Sequence, residues 1–240
     1  MNAKELYQAG RLAEAIQSLI AELRDHPADV QRRMFLFELL SFAGDYDRAE
    51  RQLNAVPQGE PSQDLLVLIS RAALQAERLR QEMFARREYP RPPEGEQPAV
   101  AGLLNGKPFQ SLEDADPRLG GKLEMLVTGS YMWLPLEHVA ALEIDPPRRL
   151  RDLLWVPARI RTGPAFQGRE LGEVLLPALY PLSWRHGDDA VRLGRATVWD
   201  EQEDGTVMPA GQKLLLVDGE DLPMLELRTL EIAQPPAEPA

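Results

Sequence analysis

Apolar residues recur at helical spacing through the first third of the chain and at alternating spacing through most of the rest. Near the start the helical pattern repeats. "LYQAGRLAEAIQSL" from Leu6 and "LLSFAGDYDRAERQL" from Leu39 place Gly10 and Gly44 34 residues apart, and the same offset relates Leu6 to Leu40, Ala9 to Ala43, Ala15 to Ala49, Leu19 to Leu53 and Pro27 to Pro61. Glycine permits a left-handed turn, a small alanine lets helices pack closely, and proline ends each unit. After Pro61, "DLLVLISRAALQAERLRQEMFARREY" predicts one long helix with Leu65, Leu68, Ala72, Leu79 and Met83 on an apolar stripe. Residues 90–100, "PRPPEGEQPAV", offer little to bury and read as a linker.

Beyond residue 100, "KLEMLVTGSYMWLP" predicts a hairpin turning at Thr128-Gly129-Ser130. "PLEHVAALEI" predicts a short amphipathic helix, and "PPRRLRDLLW" a proline-started helical turn with Leu150, Leu153 and Leu154 inward. "VPARIRT", "GEVLLPALYP", "LGRATVWDE", "QKLLLVDG" and "LPMLELRTLEI" are strand candidates separated by turn residues. The expected fold is α+β in two domains. Residues 1–89 form a helical array, and residues 101–232 a mainly antiparallel β domain with short helices, as a curled sheet or open barrel. A disordered tail is expected over residues 233–240.

A period of 34 residues is that of the tetratricopeptide helix–turn–helix unit, and "GRLAEAI" and "GDYDRAE" resemble its turn into the second helix. Two such units leave a concave apolar face. Mapping the repeat places Lys4, Tyr7, Gln31, Met34, Glu38 and Leu68 toward that concavity. They would bind a partner there or pack against the second domain.

Charge narrows the partners. The 240 residues carry a net charge of −11, with 12 Lys/Arg against 14 Asp/Glu in residues 1–89 and 15 against 24 in residues 90–240. Such acidity repels phosphate backbones, so a nucleic-acid partner is not expected. No run of about 20 apolar residues suggests a membrane span. The N-terminus lacks a signal-peptide pattern, and cysteine is absent, so a cytoplasmic location is expected.

Catalytic candidates are weak. "EDADPRLGGKLE" holds a D-x-D pair, but the oxygen-ligand spacing of a calcium loop is missing and Arg118 stands among the carboxylates. Asp116 before Pro117 reads as a cap, and Asp114 as a partner for Arg118. "GLLNGKP" is one residue short of a phosphate loop and has Pro108 where Ser or Thr is needed. Ser183, His186 and Asp188 are crowded into one loop, whereas working triads converge from separate elements. His26, His138 and His186 show no metal-ligand spacing. Trp133, Trp155, Trp184 and Trp199 read as core or interface anchors. Neither a cofactor nor a metal is expected.

The second domain is similar to a known family in its block order: the acidic D-x-D-x-R segment followed by Glu124, the G-x-Y-x-W-x-P hairpin, "RDLLWVPA", "LPALYP" and "LGRATVW". These blocks resemble the ImpE/SciE/TagJ family over about residues 1–232. The matching positions are Asp114, Asp116, Arg118, Glu124, Tyr131, Trp133, Asp152, Trp155, Tyr180, Arg195 and Trp199. The resemblance implies a non-enzymatic accessory protein of the bacterial type VI secretion system. It also implies binding to a helix near the N-terminus of the sheath subunit TssB and assistance to the ClpV ATPase in handling contracted sheath. Two other readings stand beside it: a metal-dependent enzyme using Asp114, Asp116 and Glu124, and a tetratricopeptide scaffold with an unrelated partner.

Overall fold

The computed structural model describes residues 1–90, 99–166, 170–202 and 205–234. The chain begins with helices α1 (Ala3–Gln8), α2 (Leu12–Asp25), α3 (Val30–Phe42), α4 (Tyr46–Asn54) and α5 (Pro61–Arg86). Local chemistry sets most of their starts. Asn2 and Glu5 form a reciprocal capping box on α1, Asp29 and Asp45 accept amide hydrogen bonds on α3 and α4, and Glu60 caps α5 ahead of Pro61. The repeat is a pair of helical hairpins, α1–α2 and α3–α4, bent at Gly10 (φ +76°) and Gly44 (φ +71°). Leu6, Ala15, Leu19, Leu40, Ala49 and Leu53, all matched by the repeat, are buried.

The β domain contains β1 (Gly102–Leu104), β2 (Lys107–Phe109), β3 (Leu112–Asp114), β4 (Lys122–Val127), β5 (Ser130–Pro135), β6 (Val139–Ile144), β7 (Trp155–Thr162) and β8 (Glu170–Pro177). After the single-turn helix α6 (Asp189–Arg192) come β9 (Thr197–Glu201), β10 (Val207–Gly211), β11 (Leu214–Val217), β12 (Glu220–Pro223) and β13 (Thr229–Ile232). Eight strands pair antiparallel in the order β2-β1-β13-β6-β7-β8-β4-β5, and the sheet stays open because β2 and β5 are its edges. A β9–β10 ribbon and a three-stranded β12-β11-β3 sheet accompany it. The fold is the expected α+β, with an open sheet.

Alternation along the strands gives the large sheet two apolar faces. On β4, Leu126 joins the core built by the helices, while Leu123 and Met125 join a second core with Val156, Ile160, Leu215 and Met224. Leu154, Trp155, Leu179 and Leu193 also belong to the helical core, so helices and sheet share one apolar interior.

Several local expectations are corrected. "PLEHVAALEI" is a 3₁₀ turn (Leu136–His138) followed by β6, not a helix. Pairing with β13 and β7 overrides helix propensity, and the strand buries Val139, Ala140, Leu142 and Ile144. The phosphate-loop look-alike is the β1–β2 hairpin, with Asn105 (φ +50°) and Gly106 (φ +77°) at its two-residue turn. Thr128 (φ +47°) and Gly129 (φ +85°) turn the β4–β5 hairpin in the same way. Most of the anticipated linker, residues 91–98, and most of the anticipated tail, residues 235–240, lie outside the described residues. Of that tail, Ala233 donates to Ala101 and Gln234 to the carbonyls of Val139 and Ile232, so these two residues are bonded to the sheet.

Candidate functional site

Helix α5 belongs to both halves of the molecule. On one side Arg71 reaches Asn54, and Arg78 reaches Asp47 and Glu50, which holds α5 against α4. On a second side Ser70, Ala73, Leu74, Glu77, Arg80, Gln81 and Phe84 are buried, in large part against the β domain. The third side is open at Leu65 (56% exposed), Leu68 (64%), Ile69 and Leu79, while Ala72 between them is half-buried against the β4–β5 turn at Gly129. The buried face is therefore not the predicted apolar stripe. Glu77, Arg80 and Gln81 turn inward because the β domain supplies partners for their charges and amide, which leaves the leucines outside.

Those inward side chains meet a buried ionic cluster. Arg80 is 1% exposed and forks onto Glu124, with Nε to Oε1 at 2.8 Å and Nη2 to Oε2 at 3.0 Å. It also donates to Glu77 at 3.1 Å and to the Leu179 carbonyl at 2.9 Å. Lys213, at 3% exposure, donates to Asp114 at 2.8 Å and to Glu124. The Tyr131 hydroxyl donates to Glu124, and Trp133 Nε1 donates to the Tyr131 oxygen. Trp155 Nε1 donates to Glu77 at 3.0 Å. Gln81 donates to Glu77 and accepts from Leu182 N at 2.8 Å and Trp184 Nε1 at 3.2 Å.

Burial alone would raise the Glu124 pKa, but Arg80 and Lys213 outweigh it and hold the carboxyl below its ordinary value. Burial likewise opposes the Arg80 and Lys213 charges, yet their carboxylate neighbours keep both pKa values above the usual range. Asp114 shares its lysine with Glu124. Burial pushes it up to about 6, with Lys213 opposing the rise and Glu124 adding to it. Each carboxylate of the cluster thus faces a cation or a donor from this chain. Among the described residues, no group of three or more His, Asp or Glu is placed to hold a metal ion.

The acidic segment is resolved differently from the expected pairing. Arg118 pairs with Asp116, whose side chain is fully buried, while Asp114 turns to Lys213 and accepts from Asp116 N at 2.9 Å. Asp152 accepts from the amides of Arg148 and Arg149, both at 2.9 Å, and so fixes the 3₁₀ turn Leu150–Leu153. The Tyr180 hydroxyl accepts from Leu214 N at 3.0 Å and donates to Leu214 O at 3.3 Å, and its ring lies 6.5 Å from half-exposed Trp199. The Ser183 hydroxyl donates to Tyr180 O and accepts from Gly211 N, whereas His186 Nδ1 accepts from Asp188 N, so the three form no triad.

The six positions mapped to the concavity are dispersed. Lys4 and Gln31 line a cleft of about 460 Å³ near the start of α1. The Tyr7 ring meets Phe35 edge-on at 6.0 Å and lies under the Arg195 guanidinium at 5.0 Å. Arg195 also donates to the carbonyls of Tyr7 and Gln8. Met34 packs half-buried on the helical core, and Glu38 faces Arg151 and Asp152 of the β domain. Leu68 alone stands on the open side of α5. For Tyr7 and Glu38 the facing surface is thus the protein's own β domain, which also seats Trp184 against Gly44 and hydrogen-bonds Leu12 N to Asp189. Sequence reasoning missed Glu77, Arg80, Gln81 and Lys213. For Lys213 the signal was a lone lysine opening the apolar run "KLLLV".

A tetratricopeptide-like array joined through a shared helix to an open antiparallel β domain is the class these features define. A tetratricopeptide repeat model matches residues 6–77, and the ImpE protein model matches residues 106–231. The chain is 36% identical over 263 residues to the type VI secretion system accessory component TagJ of Pseudomonas aeruginosa, covering 96% of this chain and 91% of that protein. The crystal structure of protein VPA1032 from Vibrio parahaemolyticus shares the fold, with a TM-score of 0.77 at 24% identity over 98% of each chain. The chain belongs to the ImpE family.

Proposed function

We propose that the protein is a non-catalytic, cytoplasmic accessory component of a type VI secretion system, acting by docking an amphipathic helix on the open side of α5. The exposed residues Leu65, Leu68, Ile69 and Leu79 carry this reading. The three- and four-residue spacing from Leu65 to Leu68 and Ile69 is that of a helix-packing seam, and the patch lies on the last helix of the array, where a further repeat would otherwise cover it. The likeness to TagJ supports the secretion role. The docked helix is the one near the N-terminus of the sheath subunit TssB, and its capture assists the ClpV ATPase in handling contracted sheath. Asp114, Asp116 and Glu124 serve as structural ions in this reading, because each is matched by Lys213, Arg118 or Arg80.

Fluorescence anisotropy with a labelled peptide of the TssB N-terminal helix tests the reading. Leu68→Asp and Leu65→Asp are expected to weaken binding at least tenfold while the melting temperature stays nearly constant, since exposed substitutions change stability by about 0.5 kcal/mol or less. Full affinity in both variants would refute the assignment to α5.

A further inference from the structure

A cleft of about 600 Å³ opens at the C-terminal end of α5, between that helix end and the β9–β10 ribbon. Its volume falls within the roughly 300–1,000 Å³ usual for ligand sites. On a chain of net charge −11 its lining is unexpectedly cationic, with Arg87, Arg118 and Arg185 beside His186. The guanidiniums of Arg118 and Arg185 are held in place. Arg118 is anchored by Asp116 and lies 4.7 Å over the Phe84 ring, which stacks on Tyr89 at 5.2 Å. Arg185 spreads over the Trp184 ring at 5.0 Å. Asp200, an acidic residue of the lining, sits 4.0 Å from His186 Nε2.

We propose that this cleft binds an acidic peptide segment, with its carboxylates on Arg87 and Arg185 and an apolar side chain against Tyr89. Planar guanidiniums suit carboxylate forks, and holding Arg185 by stacking lowers the entropy lost on binding. A nucleic acid offers similar anions, but a long polyphosphate would also meet the −9 balance carried by residues 90–240, whereas a short peptide need not. The site is separate from the α5 stripe and does not depend on helix docking there.

The test is anisotropy of fluorescein-labelled hexaglutamate with the full chain at low salt. Saturable binding is expected, weakened at least tenfold by Arg185→Glu and by Arg87→Glu, both exposed positions. Arg159→Glu, an exposed arginine of β7 outside the cleft, is expected to leave binding unchanged. Absence of saturable binding, or an equal loss in Arg159→Glu, would overturn the proposal. Tighter binding of a single-stranded oligonucleotide of equal charge would overturn it too.

Discussion

Arg80→Met removes a positive charge from an enclosed cluster, takes the paired cation from Glu77 and leaves Glu124 and Asp114 sharing the one ammonium of Lys213. Removing one partner of a buried ion pair costs about 3–5 kcal/mol, because the stranded charge stays desolvated. The reciprocal change is milder. Glu124→Leu leaves Arg80 paired with Glu77 and Lys213 paired with Asp114, so charge balances and the loss is mainly charge-assisted hydrogen bonding, about 1.5–3 kcal/mol. At roughly 2–4 °C per kcal/mol for a chain of this size, Arg80→Met should lower the melting temperature by roughly 6–20 °C and Glu124→Leu by about half as much. Combining the two should cost less than their sum, because the double variant no longer strands Glu124. Urea unfolding followed by tryptophan fluorescence measures all three, with Trp155 as a local reporter through its bond to Glu77. If Glu124→Leu proves as damaging as Arg80→Met, the charge-balance account of the cluster is wrong.

Two further outcomes follow from the same interface. Asp114 binds its proton more tightly folded, at a pKa of about 6, than unfolded near 3.8, so its stabilisation is complete below the lower value and lost as pH rises through the higher. Relative to Asp114→Asn, the wild type should lose about 1.4 kcal/mol between pH 5 and pH 8; parallel unfolding curves across that range would contradict this. Gly10→Ala and Gly44→Ala both force a side chain into left-handed backbone, costing about 1–2 kcal/mol. Gly44→Ala should cost clearly more in a thermal melt, because its Cβ would collide with the Trp184 ring, whereas at Gly10 the nearest atom is Arg195 Nη1 at 3.4 Å.

The repeat was legible because its determinants are local: glycine turns, small residues at the helix contact and capping side chains lie within a few positions of the elements they shape. The hairpin at Thr128-Gly129 was legible for the same reason. What failed depended on distant partners. "VAALEI" reads as helix until two neighbouring strands claim its backbone, and α5 shows an apolar stripe whose leucines face outward because Arg80 finds Glu124 44 positions away. Nothing near Asp114 in the sequence announces Lys213, so the nearby Arg118 looked like its partner. The family resemblance located the acidic block and the aromatic hairpin, while their joining to α5 came only with the fold. Of the six residues mapped to the concavity, Tyr7 and Glu38 meet the β domain, which no repeat-based mapping could foresee.

An unbroken α5 also sets a distance. At 1.5 Å per residue, Leu68 and the helix cap at Arg87 are separated by about 28 Å along a straight axis. A single polypeptide that laid a helix on the leucines and an acidic stretch among the arginines would need a spacer of at least about eight extended residues. A shorter spacer would force it to choose one end, so the helix acts as a gauge for which binding partners can engage both at once.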